Sequence, residues 1–323
     1  MAERSFVTGG TGQIGLPLVR ALLTAGHDVT VLVRDEARGR TVVADGARLL
    51  LGHLEDAAAI ERGVAEADHV WHLAGGLRGA GRIDADRLNR VGTEPLAVAA
   101  GKHANRLSSF TFASSCAVYG DRSGLWVGEA HPAAPQTQYG RAKLAAEARL
   151  REVAAATGLR LRVARIAAVY GPGLRFMQED RIRAGHAWLP GEGRNRVPVV
   201  HIDDCVAALM AIGTRGEPGL WNVSAPGTPT LSEFYAAVTA RCGGKPVRFW
   251  STWVPSVIQA ALAEQNERMA AAMGRKPRFT NDNLRLFTAS ARLNVDRLEK
   301  ELAFVWRYPE HGGGIAASIS RGA

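Results

Sequence analysis

The chain reads as an α/β protein: a doubly wound parallel sheet followed by a smaller, mainly helical C-terminal lobe. Three observations carry that expectation. Short apolar runs that suit buried strands alternate with segments of helical spacing through the first half. A glycine-rich turn, Gly9-Gly10-Thr11-Gly12-Gln13-Ile14-Gly15, stands between the first such run and the first helical segment. After Gly173 the alternation loosens, and from Thr228 helical patterns dominate.

Taken in order, Ser5-Phe6-Val7-Thr8 is a short buried strand, and Leu16, Val19, Leu22 and Leu23 mark the helix beyond the glycine turn. A strand–turn–helix of this kind lets backbone amides approach a pyrophosphate, which rests at the positive helix N-terminus. Gly9, Gly12 and Gly15 stand at the spacing such a turn needs. The second strand, Val29 to Val33, ends without the carboxylate that would hold a ribose 2′-hydroxyl. Arg34 follows it, with Arg38 and Arg40 close behind. Guanidinium groups make forked contacts with phosphate, so this end suits a 2′-phosphate and favours NADP over NAD.

Ala47 to Leu51 is expected as a third strand, Asp56 to Val64 as a helix, and Asp68 to Leu73 as a fourth strand running into Ala74-Gly75-Gly76. Small residues there allow close backbone approach to a cofactor. Asp84 to Lys102 is helical by the spacing of Leu88, Val91, Leu96 and Ala99, with Asn89 inside it. Ser108 to Ala113 is the fifth strand, and Leu159 to Arg165 is a strand with alternating faces. Val197 to His201 and Leu220 to Val223 are short strands able to return to the sheet edge, flanking a helix from Asp203 to Ile212. Thr230 or Ser232 starts a later helix, and Val254 to Met273 forms another. Residues 1–170, with 196–224 returning, make the dinucleotide-binding unit; 171–195 and 225–323 make the substrate lobe.

The totals bound the function class. With 323 residues the chain holds one large α/β unit or two sub-domains sharing an interface. Hydrophobic content of 46% and charge of 22% suit a soluble globular protein. No run approaches the roughly 20 apolar residues of a membrane helix. Met1-Ala2-Glu3-Arg4 leads into a strand without a signal-peptide core, which points to the cytoplasm. Cys116, Cys205 and Cys242 are widely spaced, as expected in a reducing compartment with neither disulfides nor a metal site. The net charge of +9 comes from scattered arginines rather than a basic block, so nucleic acid is not an expected partner.

The chemistry concentrates between Phe110 and Lys143. Ser114-Ser115 ends the fifth strand, and Tyr139 and Lys143 stand at i and i+4 of the following helix, on one face. A hydroxyl, a phenol and an ammonium so arranged can move a proton onto a carbonyl oxygen.

These motifs, in this order, resemble the extended short-chain dehydrogenase/reductase superfamily, the NAD-dependent epimerase/dehydratase group, over essentially the whole chain. The matching pieces are Thr8 to Gly15, His72-Leu73-Ala74, Asn89 with Gly92-Thr93, and Ser114-Ser115 before Val118-Tyr119-Gly120. Tyr139 with Lys143, Tyr170-Gly171-Pro172-Gly173 and His201-Ile202-Asp203-Asp204 complete them. The resemblance implies a Rossmann-type domain and an oxidoreductase acting on CH–OH or C=O. In it Tyr139 is the acid/base, Ser115 its partner on the substrate oxygen, and Lys143 the residue that holds the nicotinamide ribose. It also implies that a neighbouring ammonium together with the nicotinamide cation lowers the tyrosine pKa, that the protein is a homodimer, and that the cofactor lies along Gly9, Gly12, Gln13, Ile14, Gly15, Arg34, Arg38, Leu54, Leu73, Ala74, Gly75, Asn89, Tyr139, Lys143, Ile166 and Val169. One departure is Gly52-His53-Leu54, where the family often has Gly-Asp-Leu for the adenine; His53 is the candidate replacement.

Within the group, members acting on nucleotide-sugars commonly carry Asn three residues after the arginine of the sixth strand. Counting from Arg165, Ala168 stands there. They also often place Arg four residues before the His of His-x-x-Asp, where this chain has Val197, with Arg196 one place off. Cys116-Ala117 replace the Asp-Glu of sugar dehydratases. Arg275 to Thr280, Leu284 to Phe287 and Asn294-Val295-Asp296 are similar to the tail of 3β-hydroxysteroid dehydrogenases and dihydroflavonol reductases. Trp126, Phe176, Met177, Trp188, Phe249, Trp250 and Trp253 supply candidates for an apolar pocket wall. The expected substrate is a bulky, uncharged ketone or secondary alcohol; a nucleotide-sugar epimerase or reductase, or a non-catalytic NADP sensor, are the alternatives.

Overall fold

A computed structural model describes residues 2–76, 85–250, 256–273 and 280–320. The first half alternates as the pattern requires: β1 (Arg4–Thr8), α1 (Gly15–Thr24), β2 (Asp28–Val33), α2 (Glu36–Ala44), β3 (Arg48–Leu51), α3 (Ala57–Glu66) and β4 (His69–His72). The expected helix over 84–102 is interrupted. Ala85–Asn89 forms α4, a single 3₁₀ turn spans Val91–Thr93, and α5 begins at Glu94–Lys102, with Pro95 in its first turn, where a missing N–H costs nothing. Asp84 itself lies outside the described residues.

β5 (Ser109–Ser115) follows, then β6 (Trp126–Val127) and the long α6 (Gln138–Thr157). Thr137 caps α6 by accepting from the Gly140 N–H at 3.0 Å, and Gly158 closes it in the left-handed region at φ 75°. β7 (Leu161–Ile166), β8 (Ala168–Tyr170), α7 (Glu179–Arg183), β9 (Trp188–Leu189), β10 (Val199–His201), α8 (Ile202–Arg215) and β11 (Gly219–Val223) come next. The lobe is finished by α9 (Leu231–Cys242), β12 (Arg248–Phe249), α10 (Ser256–Ala272), α11 (Asn281–Thr288), β13 (Arg292–Leu293), α12 (Asp296–Leu302) and α13 (His311–Ser318).

Seven strands form one wholly parallel sheet in the order β11-β7-β5-β4-β1-β2-β3. The order in which strands are added reverses between β1 and β4, the switch point at which such sheets open a crevice at their carboxyl edge. One apolar layer, with Val19, Leu22, Trp71 and Trp221, lies on one side of the sheet; a second, with Phe6, Ile60, Phe110 and Leu150, lies on the other. A third cluster, around Tyr170, Phe234 and Tyr235, is the core of the lobe.

Three expectations need correction. β7 does not alternate between core and solvent: every residue from Leu161 to Ile166 is buried, because β5 and β11 flank it and helices cover both faces. Its arginines stay inside by bonding, Arg162 to the Gly216 and Ser108 carbonyls and Arg165 to Glu147. Val197 to His201 does not return to the sheet edge. Only Val199–His201 is a strand, and it pairs in parallel with β8 in a separate ladder; β11 alone joins the main sheet. The seven aromatic and Met candidates do not share one wall. Met177 is fully buried and Phe176 packs on Phe234 and Tyr235, whereas Trp126 and Trp188 are exposed under Arg292 and Arg248. Trp253 and the stretch from Arg275 to Phe279 lie outside the described residues. Thr230, not Ser232, starts α9, in a reciprocal capping box with Glu233.

Candidate active site

In a parallel sheet all strands deliver their carboxyl ends to one edge, which gathers the predicted residues. The β1–α1 turn is packed too closely for side chains. A Cβ on Gly15 would lie 2.0 Å from the Gly9 carbonyl oxygen, and one on Gly9 would lie 2.6 Å from the Ala74 nitrogen. Gly9 also sits at φ 76°, where a side chain is strained. Gly12 donates its N–H to the Gly9 carbonyl at 2.9 Å, a Cβ on it would meet only that carbonyl oxygen, at 3.1 Å, and it is exposed, as is Gln13. The turn therefore leaves its outer surface and the α1 N-terminus to a phosphate-bearing ligand.

Beside it, the β4 end is fixed from below by His72, which is fully buried between Thr8 Oγ1 at 2.7 Å and Thr93 Oγ1 at 3.0 Å. Burial, and secondarily the Lys143 charge, push this imidazole down to about 3. Asn89 is buried and brackets Gly76, accepting from its N–H at 3.3 Å and donating to its carbonyl at 3.0 Å. A Cβ on Gly75 would fall 2.5 Å from Asn89 Oδ1 and 2.8 Å from Lys143 Nζ, which brings the β4 loop, α4 and α6 together at one point.

The Ser115–Tyr139–Lys143 set is assembled from two elements. Ser114 and Ser115 face opposite ways, as consecutive strand residues must. Ser114 is buried against α6, while Ser115 opens to the crevice and accepts from the Ala117 N–H at 3.2 Å. The half-buried Tyr139 phenol lies near enough to Ser115 to feel its hydroxyl. Lys143 is buried, donates to the Ala113 carbonyl at 2.9 Å and lies 4.8 Å over the Phe112 ring.

Of the two cations expected to lower the tyrosine pKa, only Lys143 belongs to the chain, and it is not among the groups that act on Tyr139 in the protein alone. Burial pushes the Tyr139 phenol up to about 12, and the neighbouring Ser115 hydroxyl only partly offsets this. Lys143, engaged with Ala113, is itself pushed down to about 8 by burial, with Glu147 opposing the fall. The phenol is thus a protonated donor over the whole working range. The Cys116 thiol beside it is pushed up to about 12, chiefly by burial, so it has no acid/base role near neutrality.

Other predicted residues fall on the same edge with different weight. Arg34 is exposed at the end of β2. Arg38 is partly committed: Asp35 caps α2 by accepting the Arg38 N–H at 2.8 Å and pairs with its guanidinium at 3.2 Å. His53 is exposed, with Glu55 the charge that feels it. Leu54, Leu73, Ala74, Ile14 and Val169 are half-buried along the crevice and Ile166 is buried at the end of β7. These positions fit a dinucleotide laid along the edge from Gly12 to Lys143.

Sequence reasoning missed Glu147. It is fully buried one turn beyond Lys143 and is bonded by Ser114, Arg165 and Arg151. A carboxylate at i+4 from Lys143 and i+8 from Tyr139, on the buried face, was the available signal. The His201–Asp204 motif was found but serves the fold. Asp204 accepts the Arg307 and Tyr308 N–H groups at 2.8 and 2.9 Å, and His201 Nε2 lies 3.1 Å from Ser318 Oγ. Among the described residues no group of His, Cys, Asp or Glu is placed to hold a metal ion, and no helix is long and apolar enough to cross a membrane.

Comparison with known proteins agrees with this geometry. The profile of the NAD dependent epimerase/dehydratase family matches residues 5–224. The chain is 29% identical over 321 residues to a 4-hydroxy-2-methyl-3-oxo-4-farnesyl-3,4-dihydroquinoline-1-oxide ketoreductase of Stigmatella aurantiaca, covering 96% of this chain and 94% of that one. It is 30% identical over 275 residues to a dTDP-glucose 4,6-dehydratase of Streptomyces griseus, covering 75% and 80%. Among solved structures, UDP-glucose 4-epimerase of Thermotoga maritima superposes with a TM-score of 0.77 at 21% identity, over 98% of this chain and 97% of that one, which shows the shared fold. The chain belongs to the NAD-dependent epimerase/dehydratase family of extended short-chain dehydrogenase/reductases, and is a nicotinamide-dependent enzyme of that superfamily.

Proposed function

We propose that the protein is an NADP-preferring ketoreductase or alcohol dehydrogenase that acts on a bulky, largely apolar ketone or secondary alcohol. The observation that carries this is the gathering of Ser115 at the end of β5 with Tyr139 and Lys143 one turn apart on α6, where the Tyr139 phenol is held protonated and Lys143 is anchored to the Ala113 carbonyl at 2.9 Å. When bound, the reduced cofactor supplies the hydride that adds to the carbonyl carbon. Ser115 and Tyr139 hydrogen-bond the carbonyl oxygen, in the manner of an oxyanion hole, and Tyr139 donates its proton as charge develops there. Lys143 and Asn89 hold the ribose side of the crevice, and exposed Arg34 meets a 2′-phosphate. Residues 1–170 with 196–224 would hold the cofactor, and 171–195 with 225–323 the substrate; we also read the protein as a homodimer.

Support for the apolar substrate comes from what stands where a diphosphate would be held. Ala168 is a short β8 residue, and Val197 packs on the lobe core. Arg196 is engaged elsewhere, donating to the Thr228 carbonyl at 3.0 Å. The Stigmatella relative is named for reduction of a farnesylated dihydroquinoline ketone, a substrate of the same physical class.

Purified protein is expected to oxidise NADPH faster than NADH with members of a polycyclic-ketone panel, and to bind no uridine diphosphate in a calorimeter. Tyr139→Phe should lower kcat by about a hundredfold or more, the usual share of a positioned acid, while leaving cofactor affinity near wild type. Turnover of a nucleotide-sugar with no ketone reduced would replace this reading by the epimerase one. Full function surviving Tyr139→Phe would replace it by the sensor one.

A further inference from the structure

We propose that Glu147 is a positioning residue of this site: it ties the Ser114–Ser115 strand end to the helix that carries Tyr139 and sets a carboxylate one helical turn beyond the Lys143 amine. The proposal deepens the reading of Tyr139 and Lys143 above and rests on it. The geometry is specific. Tyr139, Lys143 and Glu147 follow one another at four-residue steps along the same face of α6. From β5, Ser114 donates its hydroxyl to Glu147 Oε1 at 2.5 Å; Ser115, the next residue, is the neighbour whose hydroxyl acts on Tyr139. From β7, Arg165 donates to both carboxylate oxygens, Nε to Oε1 at 3.0 Å and Nη2 to Oε2 at 2.7 Å. Arg151 closes the group from the next turn of α6.

Ser114 and Arg165 are also paired across the β5–β7 ladder, so the carboxylate pins two central strands and the helix at one point. Arg165 stacks on Tyr119, its centre 4.6 Å from the ring, and Tyr119 donates to Asn222 Oδ1 at 2.8 Å, which extends the network to β11.

Lys143 needs such a partner. Around it stand His72, held neutral, together with Phe112, the Ala113 carbonyl and Asn89, none of which carries a negative charge. Burial alone drives an amine toward its neutral form, and Glu147 is the group that opposes this. A neutral amine would lose the attraction to the ribose side of the crevice and the positive field beside the phenol. A buried ion pair that served packing alone would be replaceable by apolar groups at little cost. This one is set to act on the neighbouring charge as well.

The test reads Lys143 directly. The chain has five lysines, at 102, 143, 245, 276 and 300, so ¹³C labelling of the ε-carbons gives five resolved titrations, with Lys143 assigned as the one absent from Lys143→Arg. Wild type should titrate near about 8 at this position. In Glu147→Gln the midpoint should fall by about one pH unit or more, since an opposing charge at close range is removed. Glu147→Gln/Arg165→Gln, which leaves no unpaired guanidinium on β7, should shift it in the same direction and decides the matter if the single variant does not fold. An unmoved midpoint in folded variant overturns the proposal. Ketone turnover by Glu147→Gln should be retained near pH 6 and lost by pH 8; an equal loss at both would reduce Glu147 to a structural part. A fallen midpoint in a protein that reduces no ketone upholds the electrostatic pairing and rejects the ketoreductase reading, so the two fail separately.

Discussion

Gly12 and Gly15 look alike in the sequence, yet the structure assigns them opposite burdens. Gly15 is packed against the Gly9 carbonyl, whereas Gly12 meets protein on one side only. Gly15→Ala should therefore unsettle the turn and cost about 2–4 kcal/mol of unfolding free energy, in the range of an overpacked site in a rigid region. Gly12→Ala should stay within about 1 kcal/mol of wild type, yet weaken dinucleotide binding at least about tenfold, because the methyl group occupies the face turned to the pyrophosphate. Urea unfolding and NADPH fluorescence titration on both variants check this. Equal stabilities, or unimpaired binding by Gly12→Ala, would contradict the assignment. Residues of this sort were legible in the sequence because their chemistry depends on local spacing: glycines around one turn, Tyr139 and Lys143 on one helix turn. Glu147 and Thr93 beneath His72 were not legible, since each gains its meaning from partners brought together by tertiary packing.

Among elements, the strands of the main sheet follow from pattern, β11 at its edge included, whereas β10 does not. β10 is apolar and short enough for either ladder; its pairing with β8 rather than with the sheet is decided by the preceding chain, where Ala168 donates to the Pro198 carbonyl at 3.1 Å. β7 was misjudged because alternate arginines imitate a half-exposed strand, when both arginines are buried and satisfied by carbonyls and by Glu147. The clasp at the start of α8 shows how the lobe is tied back. Asp204 is 2% exposed and each carboxylate oxygen takes one backbone N–H of the segment after α12. Asp204→Asn keeps the shape but presents one donor to two donors, leaving a buried N–H unpaired, at a cost of about 1–3 kcal/mol. Hydrogen exchange at Arg307 and Tyr308 should accelerate well beyond that of β5 amides in this variant. Uniform acceleration across the chain would show instead that the clasp has no local role.

At the scale of the whole molecule, buried histidines make the fold sensitive to acid. His69, His72, His201 and His311 are all held below the ordinary imidazole value, each chiefly by burial, His72 to about 3. Nearby carboxylates oppose this at three of them, Glu3 at His69, Asp203 and Asp204 at His201, and Glu310 and Glu233 at His311; His72 has no such relief. An unfolded chain takes up protons at histidine near pH ~6.5, whereas the folded chain refuses them until well below. Stability is therefore complete above that pH and lost as pH falls through the interval down to the depressed values. His72 alone contributes a slope of about 1.4 kcal/mol per pH unit there. Ion-paired carboxylates act with the same sign at lower pH, as Asp68 does when held near 2 by Arg4, but these groups are largely exposed and add little. The melting temperature should be flat from pH 8 to 7 and fall steadily from 6.5 to 5. In His72→Gln, which keeps a polar bridge between Thr8 and Thr93 without a titrating ring, the starting stability should be lower but the fall distinctly shallower. An undiminished slope in that variant would move the acid sensitivity away from the floor of the site and onto the surface ion pairs.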